Sequence, residues 1–187
     1  MKELMVYFCD DTLFILYQDR VIKKSLKSIE KGQVIDAKGF MDSFLELLKK
    51  EKIKSKLFGD KIYVVKDAYH NVRDLFFLEN LFTQLGFVKV IFFDIKKLFR
   101  DDYTYIGVYQ DYIVFYLDDP VVLTLNYFKD IPKMIDYFKG YYHGYVLLFG
   151  SNENIPSIQS NLVNLYYIDD FQNYITQSLL KVKKYGA

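Results

Sequence analysis

The groups best able to do chemistry in this chain are its paired carboxylates, its two histidines and its one cysteine. Asp10-Asp11, Asp101-Asp102, Asp118-Asp119 and Asp169-Asp170 could each offer oxygen ligands to a hard cation such as Mg²⁺. All four pairs fall at expected turns or helix starts, where aspartate bonds its own backbone, and that local role is the better reading. His70 and His143 fall in different halves of the chain, and no Cys/His cluster has metal-ligand spacing. Asp67 and His70 follow an expected strand at its carboxyl end, where α/β sheets often bind ligands, but a polar loop accounts for them more simply. Cys9 has no activating neighbour in the sequence and reads as a small buried residue. Ser151 does not sit in a nucleophile elbow, and no phosphate-binding P-loop or dinucleotide fingerprint is present. The run Lys49, Lys50, Lys52, Lys54, Lys56 invites a nucleic-acid or membrane role. It lies at and beyond a helix C-terminus, where cations complement the helix dipole, and solvated surface is the better account.

The elements that must position these groups are legible from periodicity. Residues 3–9, 12–18 and 21–29 are short apolar, β-prone runs split by polar corners at Asp10-Asp11 and Asp19-Arg20, which predicts a meander of hairpins that Lys31-Gly32-Gln33 breaks. Phe40, Phe44, Leu47 and Leu48 stand at helical spacing within 39–51. A buried-strand pattern covers 61–66, and Asn71 is placed to cap a helix over 72–85 with Leu75, Leu78, Leu81, Phe82 and Leu85 inward. Gly86 ends it, a strand follows at 87–93, and one helical turn at 95–100. The order then recurs. Strands are expected at 103–109, 112–117 and 120–126, a helix at 130–139 with Pro132 in its first turn, a strand at 144–149, a helical stretch after Pro156, a strand at 163–168 and a helix at 170–184. Strands alternating with helices imply crossover connections and a covered sheet. The expected architecture is therefore α/β, two successive β-β-β-α-β-α-β units over 1–100 and 101–187.

Composition narrows the function classes. Lys and Arg number 25 against 24 Asp and Glu, so no general attraction to nucleic acid or anionic lipid is written into the chain. One cysteine precludes an intrachain disulfide, which suits a reducing cytosol. Acids follow the first few apolar residues too soon for a signal peptide, and no apolar run approaches a membrane span of about 18 residues. Aromatics reach 19% without a tryptophan. Tyr141-Tyr142 and Tyr166-Tyr167, with Tyr103, Tyr105, Tyr109, Tyr112 and Tyr116, could form a binding surface, since tyrosine offers large contact area at low entropic cost. A bulky sheet core is the simpler reading.

Several segments, taken in order, resemble bacterial actin-like proteins, the group of MreB, FtsA and the pilus protein PilM. Lys31-Gly32-Gln33-Val34-Ile35-Asp36 with Phe40-Met41 is similar to the stretch that leads into the first long helix of MreB-type proteins. Ile62-Tyr63-Val64-Val65, Leu85-Gly86-Phe87 and Val90-Ile91-Phe92-Phe93 resemble the strand, helix end and strand that follow. Tyr105-Ile106-Gly107 stands where the second phosphate hairpin belongs, and Val146-Leu147-Leu148-Phe149-Gly150-Ser151 with Ile155-Pro156 resembles the adenosine-side segment. The resemblance implies two RNase H-like lobes of the actin-like ATPase fold, without the large inserted subdomains. It also implies two glycine-bearing hairpins whose amides would cradle phosphate and whose aspartates would hold Mg²⁺ through water. The residues at those positions depart from the pattern. Asp-x-Gly-Thr is replaced by Val6-Tyr7-Phe8-Cys9, and a Phe at the glycine position bars close backbone approach. Asp-x-Gly-Gly-Gly-Thr is replaced by Tyr105-Ile106-Gly107-Val108-Tyr109-Gln110. Asp94 is the remnant of the acidic position after the fifth strand.

The resulting expectation is a cytoplasmic, non-catalytic actin-like scaffold or adaptor in a bacterial assembly, of the cell-shape, division or pilus type. It needs no cofactor or metal and touches the membrane only indirectly. Its partners would be other proteins of that assembly, with homodimerisation as one form of contact and no nucleic acid. Gly107, Gly150 and Ser151 are the residual nucleotide positions, and Tyr141, Tyr142, Tyr166 and Tyr167 the interaction surface. The rivals are a divergent ATP-binding enzyme of the sugar kinase, chaperone and actin superfamily using Asp11, Asp94 or Asp111, and a DNA-partition factor using the Lys49–Lys56 face.

Overall fold

The computed structural model describes residues 4–18, 20–53, 61–99, 102–109, 112–125, 130–150, 165–168 and 170–184. The chain forms two compact units, one built on residues up to Ile95 and one on Lys96–Val182. Each carries one five-stranded sheet, and four α-helices lie among the described residues.

In the first unit, β1 (Leu4–Cys9) and β2 (Thr12–Tyr17) pair antiparallel through a two-residue turn, with Cys9 opposite Thr12. Asp10 takes φ 52° there, a conformation that the short aspartate side chain tolerates. β3 (Arg20–Ser25) continues the meander. The sequence predicts that β3 runs on to residue 29 and that Lys31-Gly32-Gln33 breaks the pattern. The structure corrects this with a separate two-stranded hairpin, β4 (Ile29–Glu30) and β5 (Gln33–Val34). Lys31 and Gly32 both have positive φ, 52° and 72°, which is the requirement of a primed hairpin turn, so these residues join strands as well as end one.

Helix α1 (Ala37–Lys50) starts where the Asp36 carboxylate caps Gly39 N at 3.0 Å, and it buries Phe40, Phe44, Leu47 and Leu48. β6 (Lys61–Lys66) joins β1 in parallel. Helix α2 (Val72–Gln84) has a reciprocal N-terminal box: Asn71 Oδ1 accepts from Arg73 N and Asp74 N, while Asn71 N donates to Asp74 Oδ2. It closes with Phe87 N to Phe82 O and Gly86 N to Thr83 O, the paired bonds of a Schellman end. β7 (Lys89–Asp94) lies parallel to β6, giving the order β3-β2-β1-β6-β7. Side chains alternate along β1, so Leu4, Val6 and Phe8 share one core with the inner faces of α1 and α2. Phe8, Phe40, Phe44, Phe82 and Phe87 form its aromatic centre, with centroids 5.5–6.5 Å apart.

A 3-10 turn at Ile95–Leu98 opens onto the second unit. There β8 (Tyr103–Val108), β9 (Tyr112–Tyr116) and β10 (Val121–Thr124) form the meander. α3 (Ile131–Tyr137), capped by Asp130 and followed by a 3-10 turn at Lys139–Tyr141, leads to β11 (Tyr145–Phe149). β12 (Leu165–Tyr167) and α4 (Phe171–Lys184) complete the unit. The sheet order is β10-β9-β8-β11-β12, with β8, β11 and β12 parallel. Leaving the small β4–β5 hairpin aside, it is the order of the first sheet: third, second, first, fourth, fifth. Ile106, Val108, Ile113, Phe115, Val146 and Leu148 pack against Met134 and Ile135 of α3. The opposite face carries the tyrosines, where Tyr174 of α4 donates to Tyr105 Oη at 3.1 Å. Ile175, Ser178 and Leu179 of α4 are buried, so its apolar stripe is occupied by packing. The helical stretch expected after Pro156 lies outside the described residues. Among the described residues, no helix is long and apolar enough to cross a membrane.

Candidate functional site

The carboxyl ends of β1 and β6 and the tip of the β4–β5 hairpin converge in the first unit, and their polar groups are tied to one another. Phe8, at the position of the expected glycine, is fully buried in the aromatic centre, and its carbonyl accepts from Tyr69 Oη at 3.0 Å. The carbonyls of Asp10 and Asp11 accept from Gly32 N at 2.7 Å and Leu26 N at 2.8 Å. Tyr7 points to the other face, where its hydroxyl donates to Asp67 Oδ2 at 3.1 Å. Asp67 is only 3% exposed, and its Oδ1 accepts from Ala68 N at 2.7 Å. Its backbone N donates to His70 Nδ1 at 2.9 Å, which leaves the ring hydrogen on Nε2, 3.3 Å from the Gly32 carbonyl. The sequence reads Asp67 and His70 as a polar loop. The structure makes them a buried network stapling three segments, a long-range pairing that no local spacing reveals. Cys9 is buried, and burial, with the nearby Asp10 and Asp67 carboxylates, pushes its thiol well above the usual range, which keeps it protonated.

This network carries a pH signature. Burial lowers the His70 pKa below its ordinary 6.5, against the opposing pull of the Gly32 carbonyl and Asp74. The unfolded chain therefore binds a proton that the folded chain resists. The stabilisation is fully present above about pH 6.5 and is lost as pH falls toward the depressed folded value. The urea midpoint of the wild type is expected to drop between pH 7 and pH 5.5, and His70→Gln to flatten that slope. An equal slope in the variant would remove His70 as its source.

In the second unit the matching hairpin end is filled by rings. Gly107 sits in β8 between Val114 and Phe149, and Tyr109 is folded back over it: a Cβ at Gly107 would stand 2.7 Å from the Tyr109 ring. Tyr109 is fully buried, stacked on Tyr112 at 4.6 Å and 23°, edge-on to Phe149 at 6.4 Å, with its hydroxyl 3.4 Å from that of Tyr116. Gly150, at φ 135°, follows β11 where a Cβ would collide with the Val108 carbonyl. Both glycines are thus explained by packing within their own sheet.

The other expected positions are dispersed. Tyr142 is half-buried, its hydroxyl donating to Ile135 O at 2.7 Å, and burial with the nearby Asp136 pushes its pKa up, so the phenol stays neutral. Tyr141 is 63% exposed. Tyr166 and Tyr167 are exposed neighbours on β12 and point to opposite faces, Tyr166 meeting Tyr145 edge-on at 5.2 Å. Tyr105, Tyr109 and Tyr116 belong to the core. Asp11 bonds the hydroxyls of Ser25 and Thr12 at 2.5 and 2.9 Å, as a turn aspartate does. Asp94 pairs with Lys66 at 3.6 Å on the surface. Lys49, Lys50 and Lys52 are exposed at the end of α1. Among the described residues no three His, Cys, Asp or Glu side chains gather as a metal site. Asp19, Lys54, Lys56, Asp101, Gln110, Asp111, Ser151, Ile155, Pro156 and Asp169 lie outside the described residues.

Two five-stranded mixed sheets in succession, each with its hairpin end beside a parallel strand, define an actin-like fold. No protein-family model and no curated protein sequence matches the chain. Among solved structures it is similar to MreB5 of Spiroplasma citri bound to AMPPNP, at TM-score 0.52 and 9% identity over 72% of this chain and 56% of that one. The ADP-bound MreB5 gives 0.50 and 8% over 77% and 59%. The chain thus spans a little over half the length of MreB5. It is similar over nearly the whole of both chains, 97% and 95%, to the cytoplasmic domain of EpsL of Vibrio cholerae, an inner membrane component of the type II secretion system, at 0.50 and 8%.

Proposed function

We propose that this chain is a non-catalytic actin-like protein made of two RNase H-like lobes, 1–100 and 101–187, working as a cytoplasmic scaffold or adaptor in a bacterial assembly. The observation that carries this reading is the Tyr109 ring lying over Gly107. A phosphate cradle needs bare backbone amides, whereas Gly107 is paired on both sides within β8 and the Tyr109 ring occupies the space over it. The first hairpin supports it, since Phe8 stands where the glycine would be and is fully buried in the aromatic centre. MreB5 is a nucleotide-bound protein, whereas EpsL is a secretion-system component matched over nearly its whole cytoplasmic domain. Coverage therefore favours a secretion or pilus-type assembly over a filament of the cell-shape kind. Function then resides in protein contacts, with the partner side supplied by the assembly or by a second copy.

Titration calorimetry with ATP and Mg²⁺ tests it. No heat of binding is expected at millimolar nucleotide, and no phosphate release. Micromolar, magnesium-dependent binding would overturn the reading in favour of a divergent ATP-binding enzyme.

A further inference from the structure

Each five-stranded sheet has two outer strands, β3 and β7 in the first unit and β10 and β12 in the second. An outer strand presents a row of backbone N–H and C=O groups that another strand can take up, and proteins guard such edges with short strands, charges or proline. β10 and β12 are guarded by length, with four and three residues. β3 has six, but Arg20, Lys23 and Lys24 stand exposed along it. β7 also has six, Lys89-Val90-Ile91-Phe92-Phe93-Asp94, with charges only at its ends and no proline.

The apolar middle of β7 is incompletely covered. Ile62, Tyr63, Val64 and Val65 of β6 are buried, whereas Val90, Ile91, Phe92 and Phe93, paired with them one to one, are only half-buried. Val90 and Phe92 lie on the core face, against the cluster under α1 and α2, so Lys89, Ile91 and Phe93 lie on the other. No described strand lies beyond β7.

The charges choose the occupant. Two copies of one strand that pair about a two-fold axis run antiparallel, and each residue lies on the same sheet face as its copy. Residues directly opposite one another also share a face, so opposed residues differ in number by nothing or by an even number. Two central registers follow for β7. With Phe92 opposite its own copy, the Asp94 carboxylate stands against Val90 at both ends. With Ile91 opposite its own copy, Val90 meets Phe92, and Lys89 meets Phe93, whose ring suits both its alkyl stem and its ammonium. Asp94 then falls beyond the last rung and keeps its pairing with Lys66. Outside the central Ile91 pair, every rung sets an aliphatic or cationic group against an aromatic one, and like charges never oppose. The same operation on β3 sets Lys23 against its own copy in one register and Arg20 against Lys24 in the other. The first sheet thus bars self-pairing at one edge and permits it at the other.

We propose that two copies of this chain associate through β7, antiparallel about a two-fold axis at Ile91, joining their first sheets into one continuous sheet. Closure about the axis consumes the edge, so assembly through it stops at two copies. The dimer goes beyond the scaffold reading and does not rest on it. ATP binding would sink that reading and leave the dimer standing, whereas a monomer that binds no nucleotide would do the reverse.

Sedimentation of the full chain is expected to give twice the mass of one copy, falling to one copy on dilution. Ile91→Lys opposes two ammonium groups at the axis and is expected to raise the dimer dissociation constant at least about tenfold, with its fold checked by circular dichroism. A crosslink reads the register without relying on that variant. Oxidised glutathione is expected to join Ile91→Cys chains through a disulfide, since opposed residues sit within bridging distance. It is expected to leave Lys89→Cys chains separate, because the two copies of that position stand about 14 Å apart along the strands. The wild type, whose Cys9 is buried, is the blank. A monomer at every concentration would overturn the proposal and leave the edge to a strand of another protein. A dimer indifferent to Ile91→Lys, a stronger crosslink at position 89 than at 91, or masses rising past two copies would overturn it as well.

Discussion

Gly150→Ala is expected to cost about 2–6 kcal/mol of folding stability, a large part of the roughly 5–15 kcal/mol that holds a domain together. Two terms add. At φ 135° the backbone occupies a region that L side chains rarely adopt, and holding one there costs about 1–3 kcal/mol. The new Cβ then meets the carbonyl of Val108, which cannot retreat, because Val108 is fixed in β8 opposite Ile113 with Gly107 and Phe149 paired one step earlier. Forcing a methyl group into such packing adds about 1–3 kcal/mol. Urea unfolding measures the sum. A loss under about 1 kcal/mol would show that the chain after β11 can swing clear of β8, and the packing account of this glycine would fail. The result also bears on function. In an actin-like protein a glycine here is expected to serve the nucleotide, and one kept only for a ligand could be replaced without loss of stability.

That double meaning explains why the sequence locates the elements better than it interprets the site. Most strands and helices are legible within a residue or two, because apolar alternation and capping residues such as Asp36 and Asn71 act locally. The β4–β5 hairpin is not legible, since two-residue strands carry no alternation and Lys31-Gly32 reads as a break whether or not a strand follows. The Asp67–His70–Gly32 network is also hidden: its partners come from segments about 40 and 60 residues apart, and only folding brings Tyr7 and Gly32 to the same strand end. The loss of the Asp-x-Gly pattern at Val6–Cys9 is plain in the sequence. What stands in its place, a buried Phe8 and carbonyls bound by Tyr69 and Gly32, is not.

The tyrosines carry the same lesson most sharply, because one residue type serves opposite ends, and a pair of substitutions separates them. Tyr109→Ala is expected to destabilise the chain by about 3–5 kcal/mol, the range for truncating a large buried aromatic side chain, whereas Tyr166→Ala is expected to stay within about 1 kcal/mol. Tyr109 is fully buried, stacked on Tyr112, edge-on to Phe149 and resting on Gly107, so truncation leaves a cavity whose walls belong to three paired strands and cannot collapse. Tyr166 is 51% exposed on the edge strand β12, and its ring meets that of Tyr145, itself exposed. Tyr109→Phe isolates the hydroxyl. Its approach to the Tyr116 hydroxyl is long at 3.4 Å, so this change is expected to cost no more than about 1 kcal/mol, leaving the ring as the source of the effect. Chemical denaturation of the three variants against the wild type supplies the comparison. Should Tyr109→Ala prove as mild as Tyr166→Ala, the ring would rest loosely over Gly107, and the second hairpin would be open to a phosphate after all.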